Sequence, residues 1–233
     1  VIRTLRSLAL LLAVTARALH AQVGTMPDKS PFLDLNDGQR LGVSIGWLST
    51  AKDVAGVGPK GNVPMANLRY DLYLGGPVYF SGTLGVANTK RDVLDYARKS
   101  AQRLVGSRSL TLVDANASLA MSLTGPRSWK GIQPLLLGGV GYVAGFGDTQ
   151  TDASGFRFGA KFDISYGLAV RWTTSGSSEL RADLGWKAWQ LRYPETFHST
   201  EGDATPIVPV KTSLSPWQVN RLVSVGWTWR VFR

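Results

Sequence analysis

The chain of 233 residues contains no cysteine. That excludes disulfides, thiolate metal sites and a lipidated N-terminal cysteine, and leaves export open to a fold that needs no covalent staple. Histidine is nearly as scarce, with His20 and His198 alone. No Walker-type run and no G-x-G-x-x-G opening a helix is present, so neither metal nor cofactor is expected. Long apolar runs are missing too: the longest, Leu8 to Val14, falls well short of the ~20 residues a helix needs to cross a bilayer. With 44% hydrophobic and 18% charged residues the chain is neither a disordered polymer nor a helical membrane bundle. Acidic side chains are outnumbered by basic ones, 16 to 26. What the chain has in quantity is glycine, 26 residues, and tryptophan, eight. Glycine serves turns and crowded interiors, and tryptophan collects at membrane interfaces.

Residues 1–21 read as a secretory signal peptide. Arg3 and Arg6 precede Leu8 to Val14, and small residues follow, with cleavage expected after Ala18 or Ala21. Residues 22–40, polar and carrying Pro27 and Pro31, read as a periplasmic lead-in, and residues 41–233 as one β-barrel. Loss of Arg3, Arg6 and Arg17 takes the formal charge from +10 to +7, so the mature chain stays basic.

The organising signal is period two. From Phe156 to Trp172 every second residue is apolar, namely Phe156, Phe158, Ala160, Phe162, Ile164, Tyr166, Leu168, Val170 and Trp172. Between them stand Arg157, Gly159, Lys161, Asp163, Ser165, Gly167, Ala169 and Arg171. Such alternation is a strand with one greasy and one charged or small face. Seven further stretches alternate likewise, beginning near Leu41, Ala66, Val78, Val113, Pro134, Leu180 and Trp217. Their connections run long, short, long, short, long, short, long, the pattern of a transmembrane barrel with brief periplasmic turns and longer outer loops. In the stretch after Leu180 the apolar parity changes near Ala188 to Trp189, Leu191 and Tyr193, which reads as a β-bulge at the rim.

On these strands, and on the closing stretch in which Ser224, Gly226, Trp229, Val231 and Phe232 lie near the end, the chain resembles the small eight-stranded outer-membrane β-barrels of the OmpA/OmpX/OmpW-like group. Members end in a polar, any, Gly, any, any, hydrophobic, any, hydrophobic signature read by the barrel-assembly machinery. Ser224, Gly226, Trp229 and Val231 fit it; Arg233 after Phe232 departs from the usual aromatic terminus. The resemblance implies an all-β, eight-stranded antiparallel up-and-down transmembrane barrel, apolar outside and polar inside, integral to the bacterial outer membrane. It implies partners in outer-membrane lipid, lipopolysaccharide and the assembly machinery, and none in nucleic acid. Its lipid-facing residues would include Phe156, Phe158, Phe162, Ile164, Tyr166, Leu168, Val170 and Trp172.

By the same registers the lumen receives Arg69, Arg157, Lys161, Arg171, Arg181, Lys187 and Arg230 against Asp71, Asp114, Asp163, Glu179 and Asp183. Near balance is expected if these pair inside a plug, because unpaired buried charge is costly; no wide pore follows. Asp163 and Asp183 as general acid and base are the competing reading, opposed by Lys161 and Arg181 in the same registers. Between Asn88 and Ser109, Thr89 and Asp92 stand at capping-box spacing and Val93, Ala97, Ala101 and Leu104 recur at helical intervals. Lys90, Arg91, Arg98, Lys99, Arg103 and Arg108 would make this segment a cationic amphipathic surface for a polyanion, against the alternative of a solvated basic loop. The functional expectation is a non-enzymatic structural or surface-interaction role. Three alternatives stand beside it: a lipid A-modifying enzyme using His198 next to Ser199, a narrow channel, and a soluble lipocalin-like barrel.

Overall fold

The structure, a computed structural model, describes residues 30–232 except 36–37, 148–151, 175–176 and 202. The expected signal peptide and the first part of the lead-in lie outside the described residues. Ten strands are described: β1 (Phe32–Asp34), β2 (Gln39–Ser49), β3 (Asn62–Gly75), β4 (Val78–Leu94), β5 (Leu104–Ser122), β6 (Arg127–Trp129), β7 (Ile132–Phe146), β8 (Ala160–Thr173), β9 (Ser178–Gln190) and β10 (Trp217–Phe232). Eight of them close a barrel in the order β7-β5-β4-β3-β2-β10-β9-β8, with β8 returning to β7 and every ladder antiparallel. Closure satisfies the backbone of every barrel strand without leaving an edge, as a hydrocarbon surround demands. β1 and β6 form a short ribbon beside the β5–β7 connection, held also by the Arg127–Asp34 ion pair at 2.8 Å. Part of the expected lead-in is therefore strand, and Arg40 belongs to the barrel.

Strand polarity follows the alternation. On β3, Met65, Asn67 and Asp71 are buried while Ala66, Leu68 and Tyr70 are exposed. The reversal from β3 to β4 uses Gly75 and Gly76 at φ +130° and +56°, values that side-chain-bearing residues rarely adopt. The opposite connections are 50–61, 95–103, 147–159 and 191–216, all at the end of the barrel away from both of its terminal strand ends.

Three local expectations are corrected. The segment Asn88 to Ser109 is not helical: β4 and β5 run on as a hairpin, pairing Thr89 with Leu110 and Asp92 with Ser107, with a single 3-10 turn at Ser100–Gln102 near its tip. The β4–β5 ladder, continued upwards from the wall, outcompetes the helix even though Ala97, Ala101 and Leu104 would favour one. No bulge occurs at Ala188: β9 stays in continuous register with β8 and β10 through Trp189. The parity of β9 never changes, so Trp189 is inside, and it is the character of the lumen that changes. The strand expected over Phe156 to Trp172 begins only at Ala160. Gly159, at φ +62°, reverses the side on which residues fall, so Phe158 points in and Ala160 out although both are even-numbered.

Candidate functional site: a two-part lumen and its outer cap

The lower lumen is ionic. The Asp71 carboxylate accepts hydrogen bonds from Arg171 Nη2 at 3.1 Å, from Arg181 Nη1 at 3.0 Å and from the Ser81 hydroxyl. Arg181 also donates to Asp183 at 3.0 Å, and Arg69 holds the other oxygen of Asp183 at 3.0 Å. Arg171 reaches Glu179 at 3.2 Å, Arg40 meets the same carboxylate at 3.2 Å, and Gln133 links Arg171 to Tyr79. Higher up, Lys187 Nζ lies 2.8 Å from Asp114 and 3.6 Å from Asp163. Five basic residues thus meet five acidic ones. Between the two groups is a cavity of about 70 Å³, bounded by Arg69, Thr83, Asn116, Ser165, Asp183 and Lys187. Polar lining and that volume suit a few waters rather than an open path.

Above Lys187 the lumen turns apolar. Trp189, Leu191, Met65, Leu110, Phe156, Phe158 and Phe197 pack in one buried cluster, Phe158 with no exposed surface at all. The Phe158 ring stands edge-on to Trp189 at 6.5 Å, and Phe197 stacks on Phe156 at 6.3 Å and on Tyr193 at 5.5 Å between centroids, with Phe156 tilted against Tyr193 at 6.2 Å.

The outside reverses the usual rule of burial. Ile45, Trp47, Leu68, Leu84, Leu119, Val140, Tyr142, Phe162, Ile164, Tyr166, Leu168, Val170, Trp172 and Val225 are all exposed. So much contiguous apolar surface over a charged interior fits a hydrocarbon surround and no aqueous one.

No protein-family model matches the chain, and no curated protein matches it in sequence. Solved structures do. Neisserial surface protein A superposes with a TM-score of 0.52 at 10% identity, over 83% of this chain and 97% of that one. A major outer membrane protein from Thermus thermophilus gives 0.45 at 15% identity, over 83% and 99%. Ail, the attachment invasion locus protein of Yersinia pestis, gives 0.38 at 12%, over 83% and 99%. The likeness is one of fold. The chain is an eight-stranded β-barrel of the outer-membrane type.

Within this barrel, the residues expected in the lumen divide into three sets. Arg69, Asp71, Asp114, Asp163, Arg171, Glu179, Arg181, Asp183 and Lys187 share the network described above. Arg157 does not belong to it: Gly159 switches the register and leaves Arg157 exposed outside. Lys161 is half-buried at the outer rim, over the Phe158 ring and within electrostatic reach of Arg192. Arg230 sits half-buried at the opposite end, paired across the strands with Arg40. Arg40, Gln133 and Tyr79 were absent from the expected set. Arg40 stands one position before the first alternation, and continuing that parity backwards through Gly42 would have placed it inside. Phe156 and Phe158, expected to face lipid, are the largest correction, since they fill the outer lumen. Of the closing signature, Ser224 points inward and Trp229 and Val231 outward, while a Cβ on Gly226 would come within 2.4 Å of Ser44.

The outer cap is one tied unit built on the β4–β5 hairpin. Buried Arg91 makes a bidentate pair with Asp152 at 2.7 and 2.8 Å, joined by Arg108 at 3.4 Å, and lies over Phe156. Arg103 donates to the Thr205 carbonyl at close range, Ser100 N–H to Asp203 at 2.7 Å, and Lys60 N–H to the Lys90 carbonyl at 3.0 Å. Tyr193 O–H donates to Asp53 at 2.8 Å; burial and that carboxylate push the phenol well above its ordinary pKa. Of the six cations expected to form a cationic helix face, Arg91 and Arg103 are thus consumed inside the cap, half-buried Arg108 is drawn to Asp152, and Lys90, Arg98 and Lys99 remain exposed. His198 Nε2 lies 3.2 Å from the Thr212 carbonyl, and the Ser199 hydroxyl accepts the Glu201 N–H. Among the described residues no cluster of His, Asp and Glu could hold a metal.

Proposed function

We propose that this barrel is an integral protein of the bacterial outer membrane with a non-enzymatic, structural or surface-interaction role, presenting its four-loop cap to the exterior and conducting nothing of metabolite size. The observation that carries this reading is the filled lumen: ion pairs occupy its lower half and an aromatic and aliphatic cluster its upper half. Neisserial surface protein A, named for a surface position, shares the fold. A catalytic reading through His198 is disfavoured because the described hydrogen bonds of its ring and of the Ser199 hydroxyl run to the Thr212 carbonyl and from the Glu201 N–H, not to each other. The folded barrel is delivered, on this proposal, by the assembly machinery reading Ser224, Gly226, Trp229 and Val231.

Planar-bilayer recording of the purified protein is expected to show no porin-like steps, and cells that display it are expected to differ from deletion cells in adherence or envelope integrity. Large stepwise conductance with no such phenotype would replace this reading by a channel. The lipid A profile is expected to stay the same with His198→Ala; a lost modification would make the protein an enzyme.

A further inference from the structure

Among the described residues at outward positions of the eight barrel strands, one charged side chain lies below the cap: Arg221 on β10. The other described outward charges on these strands, Lys90 and Asp92, belong to the part of β4 that continues into the cap hairpin and pairs with Lys60. Arg221 is exposed and takes part in none of the luminal pairs. Its direct cross-strand partner on β2 is Ser49, and the partner of Ser49 on β3 is Asn62. A polar strip, Arg221–Ser49–Asn62, therefore crosses three neighbouring strands on the lipid side, with Ser49 Oγ donating to Asn62 Oδ1 at 3.0 Å.

Aromatic residues frame the strip. Trp186 is the partner of Arg221 on β9 and stacks on Tyr166 at 5.6 Å between centroids; Trp47 and Trp217 are exposed on the same wall. Tryptophans facing lipid mark the level of the headgroups, and an arginine is tolerated on a lipid face where its head reaches that level. The strip lies at the outer end, at the last residue of β2 and the first of β3. A planar guanidinium at such a place matches a phosphate with two parallel hydrogen bonds. Ser49 and Asn62 add a hydroxyl and an amide suited to sugar hydroxyls.

We infer that Arg221, Ser49 and Asn62 form a docking strip for one phosphorylated glycolipid of the outer leaflet, the lipid A portion of lipopolysaccharide, with Arg221 on its phosphate. This rests on the transmembrane placement of the barrel and is independent of what the cap does. It moves the polyanion contact from the β4–β5 hairpin to the barrel wall.

The experiment is native mass spectrometry of the full barrel released from detergent, with bisphosphorylated lipid A, dephosphorylated lipid A and phosphatidylglycerol as competing probes. The wild-type protein is expected to retain bisphosphorylated lipid A about tenfold better than either competitor, and R221Q to lose that preference while keeping the heat-modifiable gel migration of a closed barrel. Equal retention of all three probes by the wild type overturns the proposal without any variant. Equal retention of lipid A by R221Q and wild type overturns the role of Arg221, and equal retention of phosphatidylglycerol and lipid A overturns the glycolipid. Absence of an adherence phenotype would leave all of these outcomes readable.

Discussion

The lower and upper halves of one lumen solve the same problem with opposite chemistry. Below, cations and carboxylates in equal number fill the space, each within 3.6 Å of an opposite charge, although among the described residues the Asp163 oxygens lack a hydrogen bond; above, rings and aliphatic side chains fill it, and of their polar atoms the Trp189 indole N–H is buried without a described acceptor. The ionic half is rigid in its demands, since deleting one member strands the others in a medium that cannot solvate them. The apolar half degrades gradually, because its lining is partly loop, residues 152–158 and 191–208, and loops can close over a void. A barrel wall cannot adjust in that way. The floor of the lumen is therefore fixed by ion pairing between strands, and its outer seal by how the cap folds down.

Substitutions can break this contrast. The largest effect is expected for Asp71→Ala, which leaves Arg171 and Arg181 without a shared carboxylate: a loss of about 3–5 kcal/mol, read as a lower denaturant midpoint for unfolding from lipid vesicles. An effect as small as that of an exposed pair would mean that water reaches this level of the lumen. Phe158→Ala is expected to cost about 3 kcal/mol, at the low end for such a truncation, because the 152–158 segment relaxes towards the gap. If it exceeds Asp71→Ala, the upper half is the true keystone. Gly159→Ala should cost about 1 kcal/mol by forcing a side chain into a positive-φ conformation, and should loosen Phe156 and Phe158 in quenching or proteolysis assays. Arg98→Ala removes the exposed pair with Asp95 at 3.0 Å and should change stability by less than about 0.5 kcal/mol. A larger effect would mean that the Arg98–Asp95 pair, and not only the ties from Ser100 and Arg103, holds the hairpin tip in the cap.

Much of this was legible in the chain itself. Period-two runs such as Phe162 to Trp172 place side chains on opposite faces whatever the tertiary context, because the strand geometry alone decides it. The eight runs and their unequal connections therefore pointed to the barrel, its outward apolar face and most members of the ionic floor. Three matters lay beyond that reach. A single αL residue, Gly159, inverts the parity of Phe156 to Phe158, and glycine does not announce its φ in sequence. Val93, Ala97, Ala101 and Leu104, spaced at helical intervals, became part of a hairpin because β4 and β5, already paired in the wall, continue their ladder upwards at little entropic cost. Trp189, read as a change of register, kept its register and changed its surroundings.

Which faces alternate, how many strands form the barrel and which end carries the long loops were determined by the sequence, since they depend on backbone stereochemistry and local composition. Which partner neutralises each charge, where the lumen passes from ionic to apolar, and which row of outward residues lines up across β10, β2 and β3 were decided by closure. Closure brings Arg40 to Glu179, Arg91 to Asp152 and Arg221 to Ser49, residues remote along the chain, and no period within one strand records the stagger that does so.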